Sequence, residues 1–182
     1  MAEQQYFKVD KDTGVILDSF VFDPETDTIP DECVLGWGQG FLNPVYDWKL
    51  NQWVESKSPE EVLAFRREMK INELKEECNL TILNGFLSLN GNSYGFNYHD
   101  QMNFTQQKLE MDNDSAITMV AWKSLNNGVV YHTREEFYRV MMDAKSHKNT
   151  NIAKYWQLEQ RVLAAQSPEE IESITWTSLP TA

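Results

Sequence analysis

The chain has 182 residues, enough for one medium domain or for one full domain with a small companion. Hydrophobic residues make up 41% and charged residues 24%, the balance of a folded protein rather than a disordered one. A formal net charge of −12, from 28 acidic and 16 basic side chains, repels phosphate backbones and anionic bilayers, so neither nucleic acid nor a membrane is an expected partner.

The segment Met1-Ala2-Glu3-Gln4-Gln5 is too polar for a secretory signal, and no apolar run is long enough to span a bilayer. Folding in a cytosol is therefore expected. From 6 to 57 the chain reads as short strands separated by turns. Tyr6–Val9 and Val15–Phe22 flank Asp10-Lys11-Asp12-Thr13-Gly14, which predicts a hairpin. Pro- and Asp-rich turns follow at 23–32, then Gly36-Trp37-Gly38-Gln39-Gly40. The stretches Asn43–Trp48 and Asn51–Glu55 predict a second hairpin turning near Leu50-Asn51. So small a module buries little by itself and is expected to lean on another surface.

Ser58-Pro59-Glu60-Glu61 predicts a helix start: Ser58 caps, Pro59 suits the first position, and Glu61 completes a capping box. Val62, Phe65, Met69, Ile71, Leu74, Cys78 and Ile82 then recur at helical steps and are expected to face inward, with a stop at Asn84-Gly85. Asn90-Gly91 predicts a hairpin between Phe86 and Phe96. Residues 99–112 are expected to be helical, with Asp100 as cap and Met102, Leu109 and Phe104 inward. Thr118–Lys123 and Val129–His132 flank the turn Asn126-Asn127-Gly128. Thr133-Arg134-Glu135-Glu136 opens a long helix whose apolar set includes Phe137, Val140, Ala144, Trp156, Leu158 and Val162-Leu163, and Ser167-Pro168-Glu169-Glu170 opens a short closing one. The expected fold class is α+β: a small β-rich docking module (1–57), a linking helix (58–86), and a domain of two short hairpins packed with helices (87–182).

Reactive groups are hard to find. His99 sits at a helix start, His132 precedes a cap, and His147 lies in a polar stretch and is expected to be solvated. Cys33 and Cys78 lack disulfide or metal spacing and read as reduced, buried thiols. Asp10-Lys11-Asp12-Thr13-Gly14 lacks the later ligands of a calcium loop and reads as a turn. The acidic pairs at 60–61 and 169–170 oppose helix dipoles. No catalytic, cofactor or metal residue is assigned. The rings are another matter: Trp37, Tyr46, Trp48 and Trp53 crowd one small module and are the candidate interface residues, because Trp and Tyr are favoured interface anchors.

The order of motifs from Ile71 to Trp176 resembles an uncharacterised domain family of phage and prophage tail modules, usually encoded near tail-fibre genes. The residues that carry it are Cys78-Asn79, Ile82, Gly85-Phe86, Tyr94-Gly95-Phe96, Asp100-Gln101, Asn103-Phe104, Trp122, His132-Thr133, Phe137, His147, Ser167-Pro168-Glu169-Glu170-Ile171 and Trp176. Pro44-Val45-Tyr46-Asp47-Trp48 with Gln52-Trp53-Val54 is similar to an element of tail-fibre assembly proteins. The resemblance implies a non-enzymatic structural part of a tail tip, baseplate or fibre, in the virion and joined to other tail proteins. Such a part is expected to be a homo-oligomer, a trimer first among the candidates. A fibre-assembly chaperone is the alternative, and an enzyme acting on cell-surface glycans is a third reading.

Overall fold

In the computed structural model, which describes residues 3–179, one carboxylate closes the first turn. Asp10 Oδ1 accepts from the backbone N–H groups of Asp12 (3.0 Å) and Thr13 (2.8 Å) and from Thr13 Oγ1 (2.8 Å). This turn joins β1 (Gln4–Val9) to β2 (Ile16–Phe22), and β1 also pairs with β3 (Cys33–Leu35), all antiparallel, in the order β2-β1-β3. Lys8 faces Asp18 but Val9 faces Ile16, so Leu17 is a bulge residue. The central strand buries Tyr6, Phe7 and Val9, whereas the edge strand β2 leaves Leu17, Phe20 and Val21 exposed. The expected second hairpin is β4 (Pro44–Asp47) with β5 (Gln52–Glu55), turning through Asn51 at φ +50°. Met1, Ala2 and residues 180–182 lie outside the described residues.

Helix α1 (Pro59–Leu83) opens as expected: Ser58 Oγ accepts from Glu61 N at 3.2 Å, and the Glu61 carboxylate accepts from Ser58 N at 2.9 Å. Two compact units, Met1–Phe65 and Arg66–Ala182, meet at a boundary inside this helix. The inward stripe of α1 is narrower than its apolar pattern. Leu74, Cys78 and Ile82 are buried, but Phe65 and Met69 are exposed. The helix stops at Gly85, whose φ of +97° and close approach to the Tyr94 carbonyl exclude a side chain.

The second unit continues through β6 (Phe86–Leu87) and β7 (Ser93–Tyr94), α2 (Tyr98–Asn113), β8 (Met119–Ser124) and β9 (Gly128–Thr133). It ends with α3 (Arg134–Ala164), the short α4 (Pro168–Glu172) and a 3₁₀ turn at Trp176–Ser178. The fold class is thus α+β, in the expected order. Asp100 does not cap α2. Asn97 does, and Asp100 is the third helical residue whose carboxylate reaches back to Asn97 N at 3.0 Å. Phe104 and Met111 define the buried face of α2. Met102, half a turn round from Phe104, is 68% exposed, and Leu109 is exposed as well.

Thr133 and Glu136 form the expected capping box of α3. Its buried stripe steps through Phe137, Val140, Ala144, Asn151, Lys154, Leu158 and Val162, leaving Trp156 60% exposed and Leu163 outward. Around this stripe Cys78, Ile82, Phe86, Tyr94, Phe96, Phe104, Met111 and Val120 pack into one core. Arg134 stitches the α2–β8 connection, donating to the carbonyls of Asp114 at 2.9 Å and Ile117 at 3.4 Å and to that of Met111. The two Asn-rich turns are bonded to each other: Ser93 N donates to Asn126 Oδ1 at 2.9 Å, and Asn127 Nδ2 to Asn92 Oδ1 at 2.7 Å.

Because Phe137 is fully buried between Phe104 and Trp122, Phe137→Ala should cost about 3–5 kcal/mol in urea denaturation. Met102→Ala on the outer face of α2 should stay within about 0.5 kcal/mol. Equal effects would mean the face of α2 is misassigned.

Candidate functional site

The four rings singled out in the sequence form one continuous group in the first unit. Trp37 and Trp53 lie 6.5 Å apart between centroids, Trp53 and Tyr46 5.3 Å, and Tyr46 and Trp48 4.9 Å. Phe7 from the central strand touches Trp37 (5.4 Å) and Trp53 (6.4 Å), which ties the group to the three-stranded sheet. The edge-on geometries at Tyr46 set positive ring edges against negative faces.

Local sequence explains the placement. In β4–β5 Tyr46 and Trp53 are directly opposed residues of one face. Trp48 Nε1 donates to the Asp10 carbonyl at 3.0 Å and so pins the first turn. Tyr46 N donates to the Gly14 carbonyl at 2.9 Å, and a Cβ at Gly14 would sit 2.3 Å from the Tyr46 carbonyl oxygen, so glycine is required there. Glu55 closes the far end, accepting from the backbone N–H groups of Asn43 (3.0 Å), Leu42 and Lys57 (2.9 Å). Tyr46, Trp48 and Trp53 are part-buried by these contacts, but Trp37 is 48% exposed, with Leu35 and Phe41 exposed on either side of it in sequence. Hence three rings build the module and one remains at its surface.

In the second unit the polar side chains are drawn into pairs. The Tyr94 hydroxyl and His132 Nε2 lie 3.1 Å apart, and Asn90 Nδ2 donates to the same hydroxyl at 3.0 Å. Ser88 Oγ donates to Asp143 Oδ2 at 2.5 Å, and Leu89 N donates to that oxygen at 2.9 Å. Ser88 is thus bonded to the carboxylate and His132 to the phenol, two separate pairs beside a cleft of about 640 Å³. His147 is not solvated as its polar neighbours suggest. Its ring packs near Phe86 (6.1 Å) and Phe96 (6.3 Å), and its Nε2 is buried with no hydrogen-bond partner. His99 is exposed. Cys33 and Cys78 are buried and unpaired, and burial raises both thiols above their ordinary pKa.

Sequence reasoning missed Ser88, Asp143, Asn151 and Lys154. The missing signal was periodicity: Asn151 and Lys154 fall on the same stripe as Ala144 and Leu158, a regularity hidden when only apolar residues are counted. Among the described residues no group of three or more His, Cys, Asp or Glu could hold a metal ion, and no helix is long and apolar enough to cross a membrane.

A protein-family model described as a domain of unknown function (DUF4376) matches residues 65–175. The match takes in more than half of the chain, including the ordered motifs from Cys78 to Ile171, and the chain belongs to that family. No curated protein and no solved structure matches it.

Trp48→Phe keeps the ring stack but loses the bond to Asp10, and should lower the stability of the first unit by about 1 kcal/mol in urea denaturation followed by fluorescence. Burial depresses the pKa of His132 below its ordinary 6.5, with Glu136 opposing more weakly. The unfolded chain then binds the proton more readily, so stability is complete above about pH 6.5 and falls as pH drops through that value toward the depressed one. His132→Gln should flatten the fall in urea midpoint between about pH 7.5 and 5.5. An unchanged slope would place the titrating group elsewhere.

Proposed function

We propose that this DUF4376 protein is a structural, non-enzymatic component of a bacteriophage tail, at the tip, baseplate or fibre, which works by holding other tail proteins. The observation that carries the reading is the apolar surface of the first unit. Trp37 stays half exposed on a ring group that already has a core, and Leu17, Phe20 and Val21 are exposed on an edge strand. Apolar rings at a surface are characteristic anchors for protein partners, and an open strand edge offers unpaired backbone groups. The tail assignment is supported by the resemblance of the ordered motifs in the second unit. Self-association with closed symmetry, as a trimer, is part of the proposal.

A specific feature favours an assembly chaperone as the second reading. The Pro44–Val54 element that is similar to tail-fibre assembly proteins is the β4–β5 hairpin, which carries Tyr46 and Trp53 into the ring group.

Mass spectrometry of purified infectious particles separates the two. A virion component should be present at a fixed ratio to the other tail proteins, whereas a released chaperone should be absent and should raise the yield of soluble fibre on co-expression. Trp37→Ser should leave the fold intact and weaken incorporation or self-association by about 30-fold, the loss of one aromatic anchor. Full incorporation of that variant would move the docking surface away from the ring group.

A further inference from the structure

Three polar residues, His147, Asn151 and Lys154, stand in succession at three- and four-residue steps in the middle of α3, between Ala144 and Leu158 of the buried stripe. Packing alone would select Leu or Ala there. Asn151 has a local partner, since its Nδ2 donates to the His147 carbonyl at 2.8 Å. Lys154 has no such account. It is only 7% exposed, it pairs with no carboxylate among the described residues, and its ammonium sits 4.7 Å from the centre of the Trp176 ring. The side chain is largely buried but its ammonium is not among the enclosed polar atoms left without a partner, so Nζ stays open to solvent with the ring face on one side.

Lys154 lines a cavity of about 690 Å³, together with Thr81, Ser146, Thr150 and Gln157. That volume is in the range of small-molecule sites. The carboxylate on its wall, Asp143, already accepts two hydrogen bonds from Ser88 and Leu89. The other polar side chains on the wall, among them Thr81, Ser146, Thr150, Lys154 and Gln157, carry hydroxyl, ammonium and amide donors. Leu87 and Leu89 also line it, and Leu89 is 96% exposed, an apolar wall suited to a carbon skeleton.

We propose that this cavity binds a small organic oxyanion, a carboxylate or a phosphate monoester, whose charged end pairs with Lys154 and accepts from the hydroxyls beside it. The pairing supplies the counter-charge that the fold withholds from Lys154, and the hydroxyls of Ser146 and Thr150 complete the coordination of the oxygens.

Thermal unfolding with two probes, glutarate and glycerol phosphate, tests the proposal. Saturating probe should raise the Tm of the wild-type protein by about 5 °C and leave that of Lys154→Met unmoved. A response to only one probe identifies the oxyanion as carboxylate or phosphate. Equal shifts in both proteins are a general salt effect and overturn the proposal, as does no shift with either probe. If Lys154→Met fails to fold, titration of the Trp176 indole N–H resonance in the wild type decides. Saturable movement supports the site, and a stationary resonance overturns it.

Discussion

The inward stripe of α3 is the surface on which the second unit is built. Three of its positions, Phe137, Val140 and Ala144, meet the aromatic core that runs through Phe86, Phe96, Phe104 and Trp122. A helix of 31 residues is long enough to present several turns to different neighbours, so strands too short to be stable alone can each find a wall. The hairpin β6–β7 has two residues per strand and holds because Phe86 and Tyr94 are buried in that wall. Chain ends of the helices are closed in the same economical way. Arg67 Nη2 donates to the Ala165 carbonyl at 2.6 Å where α3 ends, and Arg134 satisfies the end of α2.

The first unit solves a different problem. Its sheets are small, and its stability comes from large rings rather than from many aliphatic side chains. A chain of contacts from Phe7 through Trp53 and Tyr46 to Trp48 replaces the layered core of a bigger domain, and the bond from Trp48 to Asp10 turns that contact chain into a clamp on the first turn.

Punctuation was the legible part of the sequence. Ser58, Thr133 and Ser167 each announce a helix with a mechanism that needs only nearby atoms, and Asn90-Gly91 and Asn126-Asn127-Gly128 announce turns in the same way. Facing was less legible. Met69, Met102, Leu109, Trp156 and Leu163 are apolar yet exposed, because only one stripe of each helix meets the core and they lie off it. The ring group was visible as a cluster of Trp and Tyr, but which rings are structural and which one reaches the surface depends on pairing across β4 and β5, a long-range property. Lys154 shared the helical period of Ala144 and Leu158 but not their chemistry, and Asp143 gave no local sign, since its partners Ser88 and Leu89 are distant in sequence.

The bonded turns at Asn92 and Asn126 carry an evolutionary consequence. Surface loops normally drift in length because nothing measures them. Here each loop is the ruler for the other: an added residue at 90–92 would carry Asn92 out of reach of Asn127, and one at 125–127 would lift Asn126 off Ser93. Across the family these two loops should therefore keep their length as strictly as the packed interior keeps its volume, and insertions should accumulate at other connections.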